Sequence, residues 1–311
     1  MRRAAAVLAI TAAWALGAGT VTACSAAPGT AKPTAAATSA GGGAAPGPSY
    51  YVSLGDSLSR GIQPDANGGS MATRQGYPDQ LYAVLHRGAP GLRLVKLGCS
   101  GETTGTMIDS GTCRYPAGSQ LGAAVSFLRA HRGHISLITI DIGGNDPNSC
   151  IIGIPAGDIA AGHIARCLNS RFRNTLANLA TILRRLRAAG GATVTIIGMS
   201  HYVPELAAWL TNRTGKEIAA VSERLAVAYH QLLTAVYARN HARVADVFGA
   251  FHSSDFGDDV QLPGIGTVPR NVATVCQWTW ICASPPRGPN EHANKIGYRI
   301  IALAFLLADR R

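Results

Sequence analysis

Four short clusters along the 311-residue sequence carry residue types that can do covalent chemistry on a carbonyl. Gly55-Asp56-Ser57-Leu58-Ser59 supplies a hydroxyl. Gly98-Cys99-Ser100-Gly101-Glu102-Thr103-Thr104 and Gly143-Gly144-Asn145-Asp146 supply backbone and side-chain N–H donors, and Pro289-Asn290-Glu291-His292 supplies an imidazole. Attack on an ester carbonyl needs those functions: a nucleophile, a base to take its proton, and donors aimed at the oxyanion of the tetrahedral intermediate. Alone, each cluster has a blander explanation. Gly-Asp-Ser after a strand is commonly a turn that caps a helix, Gly-Gly-Asn-Asp is ordinary loop composition, and His292 is one of nine histidines. Their weight depends on where the fold puts them.

The elements that must position them read as β-rich and helical stretches in alternation. Residues 50–54, 92–97, 135–142, 192–199 and 242–248 have the continuous apolar character of strands that a parallel sheet buries on both faces. Helical patterns cover 172–189, 216–240 and about 294–307, with His292 opening the last one. This alternation predicts an α/β three-layer α/β/α sandwich around a mainly five-stranded parallel sheet. Ligands of such sheets bind beyond the carboxyl ends of the strands. Three clusters directly follow the first three strands, so with His292 all four fall on one edge.

In this order the clusters resemble the GDSL or SGNH hydrolase superfamily, whose four blocks contribute a serine, a glycine, an asparagine and a histidine. The resemblance runs from Tyr50 to the last helix, and the Gly-Asp-Ser-Leu and Gly-Gly-Asn-Asp blocks are its most specific parts. It implies a flavodoxin-like sheet and a serine carboxylic ester hydrolase, an esterase or lipase that works through an acyl-enzyme without cofactor or metal. By the same resemblance Ser57 is the nucleophile and His292 the base. The oxyanion hole comprises the N–H groups of Ser57 and Gly101 and the side-chain amide of Asn145. The implied substrate is an acyl ester of a lipid or another alcohol. A carbohydrate acetyl esterase, a thioesterase and a non-catalytic cell-surface binding lipoprotein are the alternatives. Neither a Gly-x-Ser-x-Gly elbow nor a His-Glu-x-x-His zinc motif occurs.

One position departs from the family pattern. The aspartate usual three residues before the histidine, which accepts from its Nδ1–H, is Pro289 here. A wrong tautomer of the base costs serine hydrolases about 10⁴-fold, so something must replace that acid. Three readings compete: a backbone carbonyl near Pro289, which is the favoured one, an acid from elsewhere such as Asp255, Asp258 or Asp259, or an impaired enzyme.

Other polar residues read as structural. Asp56 and Asp146 fit turn or capping roles, and Asp141 fits a hydrogen-bonded residue near the site. His163, His201 and His252 read as surface or loop histidines. Trp278 and Trp280 either line an acyl pocket or pack their loop against the body. Loops 61–74 and 249–287 are the expected walls of the acyl site.

At the N-terminus, Arg2 and Arg3 precede an apolar stretch to about Leu16 and small residues ending at Cys24. This resembles a bacterial lipoprotein signal, 1–23, in which Cys24 is acylated and anchors the protein to the membrane. The alternatives are an ordinary cleaved signal and an uncleaved span. Residues 24–48 are Ala, Gly, Pro, Thr and Ser with one Lys, too little apolar area to fold, and read as a tether to the domain at 49–311. An exported monomer tethered to the outer face of the cell membrane is the expectation.

With Cys24 set aside, six cysteines remain, which in an exported chain read as disulfides. They fall in neighbouring pairs, Cys99 with Cys113, Cys150 with Cys167 and Cys276 with Cys282, and neighbour pairing is expected because each pair brackets a loop that a short crosslink holds. No Cys-x-x-Cys pair favours zinc. The +11 net charge is scattered arginine with only four lysines, which argues against a nucleic-acid partner.

Overall fold

A computed structural model describes residues 48–150 and 161–310; the signal-like segment 1–23, Cys24 and the tether up to residue 47 lie outside them. Five parallel strands form the central sheet: β1 (Ser49–Gly55), β2 (Leu92–Lys96), β3 (Ile135–Asp141), β4 (Thr195–Met199) and β5 (Arg243–Ala245), in the order β2-β1-β3-β4-β5. Strand β1 pairs on both edges, which explains why its sequence is apolar almost throughout and buried on both faces.

Alternate residues feed two cores. Tyr51, Leu137, Ile197 and Met199 face one side, where α2 (Tyr77–Gly88) and the last helix, α6 (Lys295–Asp309), cover them with Tyr77, Leu81, Tyr298, Ile301 and Phe305. Val52, Leu54, Ile138 and Ile140 face the other. There α3 (Gln120–Ala130), α4 (Ala161–Gly190) and α5 (Arg213–Arg239) supply Leu121, Leu128, Leu183, Leu186 and Tyr237. The result is the three-layer α/β/α architecture with a flavodoxin-like strand order.

That order makes β1 and β3 neighbours at the point where the chain's winding reverses, and the register sets Gly55 opposite Asp141. The segments leaving the two strands, with Ser57 on one and Asn145 on the other, therefore emerge side by side. Disulfides join Cys99 to Cys113, Cys150 to Cys167 and Cys276 to Cys282. The first ties down the loop that holds Gly101.

Central packing leaves no slack at Gly198 in β4, where a β-carbon would overlap the ring of the buried Tyr237. Strand β4 is hydrogen-bonded on both sides and cannot retreat. Gly198→Ala should therefore destabilise the fold by about 1–3 kcal/mol. Gly88→Ala at the end of α2 meets open space and should be neutral or stabilising by up to about 1 kcal/mol. Thermal unfolding of the two variants checks both signs.

Candidate active site

The serine turn is built from below. A β-carbon at Gly55 (φ +133°) would collide with the carbonyl and carboxyl oxygens of Asp141, so only glycine lets β1 close this tightly on β3. Asp56 then caps the four-residue helix α1 (Ser57–Arg60), its Oδ1 accepting from Leu58 N at 3.0 Å and from Ser57 Oγ at 3.5 Å. Asp141 completes the turn from the sheet: its Oδ2 accepts from Ser59 N at 3.0 Å and from Asp56 N at 3.3 Å. Its Oδ1 accepts from Tyr77 Oη at 2.6 Å, and Tyr77 stacks on Phe305.

The two carboxyl groups are buried together, Asp56 and Asp141 being 4% and 0% exposed. No basic side chain pairs with either among the described residues. Burial, then the Asp56 charge, holds Asp141 well above the usual carboxylate range. Burial raises the Asp56 carboxyl as well, to about 6.

Asn145 leaves the loop after β3 and is drawn to the same carboxylate. Its Nδ2 donates to Glu102 O at 3.0 Å and to Asp56 Oδ2 at 3.3 Å, while its Oδ1 accepts from Asn148 Nδ2 at 3.3 Å. The bond to Glu102 places Asn145 beside Gly101, whose φ of +76° requires glycine and whose Cα faces open space. Neither Ser57 N–H nor Gly101 N–H has an acceptor among the described residues. Asp146 braces this loop by accepting from Thr104 N at 3.0 Å and Thr175 Oγ1 at 3.0 Å.

His292 differs from expectation in two respects. It lies on a short strand, β6 (Asn290–Ala293), two residues before Asn294 caps α6. Its Nδ1 meets Asn290 Oδ1 at 2.8 Å, in place of a carbonyl at Pro289. The strand explains the change, since residues two apart share a face while Pro289 and Glu291 fall on the other. Asn290 Oδ1 also accepts from His292 N at 3.0 Å, which locks the turn. Because an amide oxygen only accepts, Nδ1 carries the hydrogen and Nε2 the lone pair. Asp255 and Asp258 pair with Arg270, and neither they nor Asp259 hydrogen-bonds His292. Burial pushes the His292 imidazole down to about 4.

Ser57, Asn145 and His292 line one cavity. Its other walls come from Leu168 and Phe172 of α4, the segment after β4 with His201 and Tyr202, and Leu225, Ala226 and Tyr229 of α5. The expected walls, loops 61–74 and 249–287, contribute nothing to it. The first folds into a ribbon of Ile62–Pro64 with Ser70–Ala72, and the second holds the ribbon Asp259–Leu262 with Gly266–Pro269 and the helix Arg270–Trp278. Trp278 packs edge-on against Phe251 in the core, and Trp280 donates to Gln63 Oε1 at 3.3 Å, so both fasten their loop to the body. His201 is no surface histidine: both ring nitrogens are buried in the cavity wall. His252 is exposed, and the side chain of His163 lies outside the described residues. Asn290 was readable only through strand alternation, and nothing local marks His201 or Tyr229.

None of the curated proteins searched matches the sequence significantly. Among solved structures, an extracellular lipase from Streptomyces rimosus is 17% identical and superposes with a TM-score of 0.51 over 84% of this chain and 99% of that one. The lipase Lip_vut3 from a goat rumen metagenome is 13% identical, with a TM-score of 0.51 over 84% of this chain and 97% of that one. Both share the fold. The family model of the GDSL-like lipase/acylhydrolases matches residues 53–299, from the strand that precedes Ser57 to the helix that follows His292. With those blocks matched along most of its length, the chain belongs to the GDSL-like lipase/acylhydrolase family and is a carboxylic ester hydrolase.

Proposed function

We propose that the chain hydrolyses acyl esters through an acyl-enzyme on Ser57, with His292 as general base and acid. The observation that carries this reading is the convergence of Ser57, Asn145 and His292 on one cavity beside two uncommitted N–H groups. His292 Nε2 takes the Ser57 Oγ proton as the oxygen attacks the carbonyl carbon. The N–H groups of Ser57 and Gly101 and the amide of Asn145 hold the oxyanion, with the longer bond from Asn145 to Asp56 yielding to the substrate oxygen. Collapse expels the alcohol, protonated by His292, and water repeats the sequence to free the acid. The substrate in this reading is a lipid or another acyl ester.

The setting is part of the same proposal. Residues 1–23 act as a lipoprotein signal, and acylated Cys24 tethers the domain outside the cell. Support comes from the cysteines among the described residues, all six of which form disulfides, as suits an oxidising compartment.

Turnover of p-nitrophenyl butanoate tests the mechanism. Ser57→Ala should abolish it and Asn145→Ala should lower it by about 100- to 1,000-fold with the fold intact; near-normal turnover by Asn145→Ala would overturn the assignment. The pH profile tests the base. His292 works when neutral, so its own acid limb in kcat/KM should lie near 4, below a limb near 6 from the Asp56 carboxyl that burial raises. A carboxylate at Nδ1 favours the imidazolium, so Asn290→Asp should move the His292 limb up by roughly one to three units. Cys24→Ser should shift the protein from the membrane fraction to the soluble one, and unchanged partition would remove the anchor.

A further inference from the structure

One cavity wall holds an unusual set of polar atoms. His201 Nδ1 and Nε2, Tyr229 Oη and His230 Nδ1 are all buried without a hydrogen-bond partner among the described residues, and all three residues line the cavity that Ser57 and His292 share. Buried polar atoms are nearly always paired, so a group of four on one wall calls for an explanation.

The surrounding packing brings them to the reacting centre. A β-carbon at Gly143 would lie 2.7 Å from Tyr229 Oη, and one at Gly144 would lie 3.3 Å from His201 Cδ2. The two glycines next to Asn145 thus let both rings press against the loop that carries that amide. Phe172 stacks on Tyr229 at 4.7 Å and Phe248 on His230 at 4.8 Å, which fixes where those rings sit.

We infer that His201, Tyr229 and His230 form a polar subsite that binds a hydroxyl-bearing portion of the ester substrate. This rests on the reading of Ser57 and His292 given above and narrows its substrate class. A phenol both donates and accepts, and a neutral imidazole offers one donor and one acceptor. Burial pushes the His201 imidazole down to about 4, so it is neutral near pH 7. The phenol of Tyr229 and the neutral imidazole of His201 complement a hydroxyl, which also donates and accepts. A plain alkyl chain would leave every one of these atoms unpaired, the condition under which a polar site rejects an apolar analogue.

The hydroxyl can belong to the acyl or the alcohol half of the ester, and matched pairs separate the two. Dissociation constants for ethyl 3-hydroxybutanoate against ethyl butanoate probe the acyl half. Those for glyceryl monoacetate against propyl acetate probe the alcohol half. All are read by NMR titration of the full chain carrying Ser57→Ala, so that binding is measured whether or not the chemistry proceeds. One pair should favour its hydroxylated member by about tenfold. Adding Tyr229→Phe, which removes only the buried oxygen, should cut that preference at least threefold, and His201→Leu should do the same. Equal affinities within both pairs, or a preference untouched by both substitutions, would overturn the subsite. Loss of turnover in Ser57→Ala alongside equal affinities would leave the Ser57 mechanism standing and remove only the subsite. A hydroxyl preference with no turnover in the unmodified enzyme would do the reverse.

Discussion

The site hangs on two carboxyl groups, Asp56 and Asp141, buried together where β1 and β3 end, with the backbone N–H of Asp56 donating to Asp141. The Asp56 carboxyl has three clients. Asp56 caps α1 through Leu58 N, accepts from Ser57 Oγ and draws in Nδ2 of Asn145. The proposed nucleophile and the proposed oxyanion donor thus share an anchor, although they stand 88 residues apart in the chain. The pair in turn depends on the sheet. Gly55 permits the close approach, the register sets it against Asp141, and Tyr77, held by Phe305, donates to the far oxygen. Helices α2 and α6 therefore support the serine turn without touching the cavity's reacting atoms.

How far the sequence revealed this follows from which signals are local. The strand order rests on apolar runs and alternation, and Ser57, Gly101, Asn145 and His292 are marked by short blocks that sit at strand ends. Disulfide partners are near neighbours, so sequence proximity sufficed. Long-range placement was not visible. Phe172, His201 and Tyr229 reach the cavity from two helices and a loop remote in sequence, and their residue types fit a core as well as a site. The loop at 249–287 reads as a pocket wall because the four blocks specify the ester chemistry and leave the acyl site to the loops; in the fold its tryptophans are used up in packing against Phe251 and Gln63. The partner of His292 is the Asn290 side chain and not a carbonyl at Pro289, because the short strand turns the residue two back toward the ring.

That strand also bears on why an amide, and not a carboxylate, faces the histidine. The cavity lining contains Asp56, Glu205 and Glu291 and no Lys or Arg, and the Glu291 charge already adds to the burial that raises Asp56. A further carboxylate at position 290 would sit next to Glu291 with no cation to offset its desolvation. Asn290 supplies what the tautomer needs, an acceptor for Nδ1–H, without adding charge. The cost falls on the base, because a neutral amide gives the imidazolium little stabilisation and leaves burial to hold it at about 4. A weaker base shifts more of the barrier onto the developing oxyanion. The groups proposed to meet that charge, two N–H groups without an acceptor among the described residues and an amide held by the Asp56 carboxyl, are fixed before substrate arrives, so little reorganisation is left for the reaction itself.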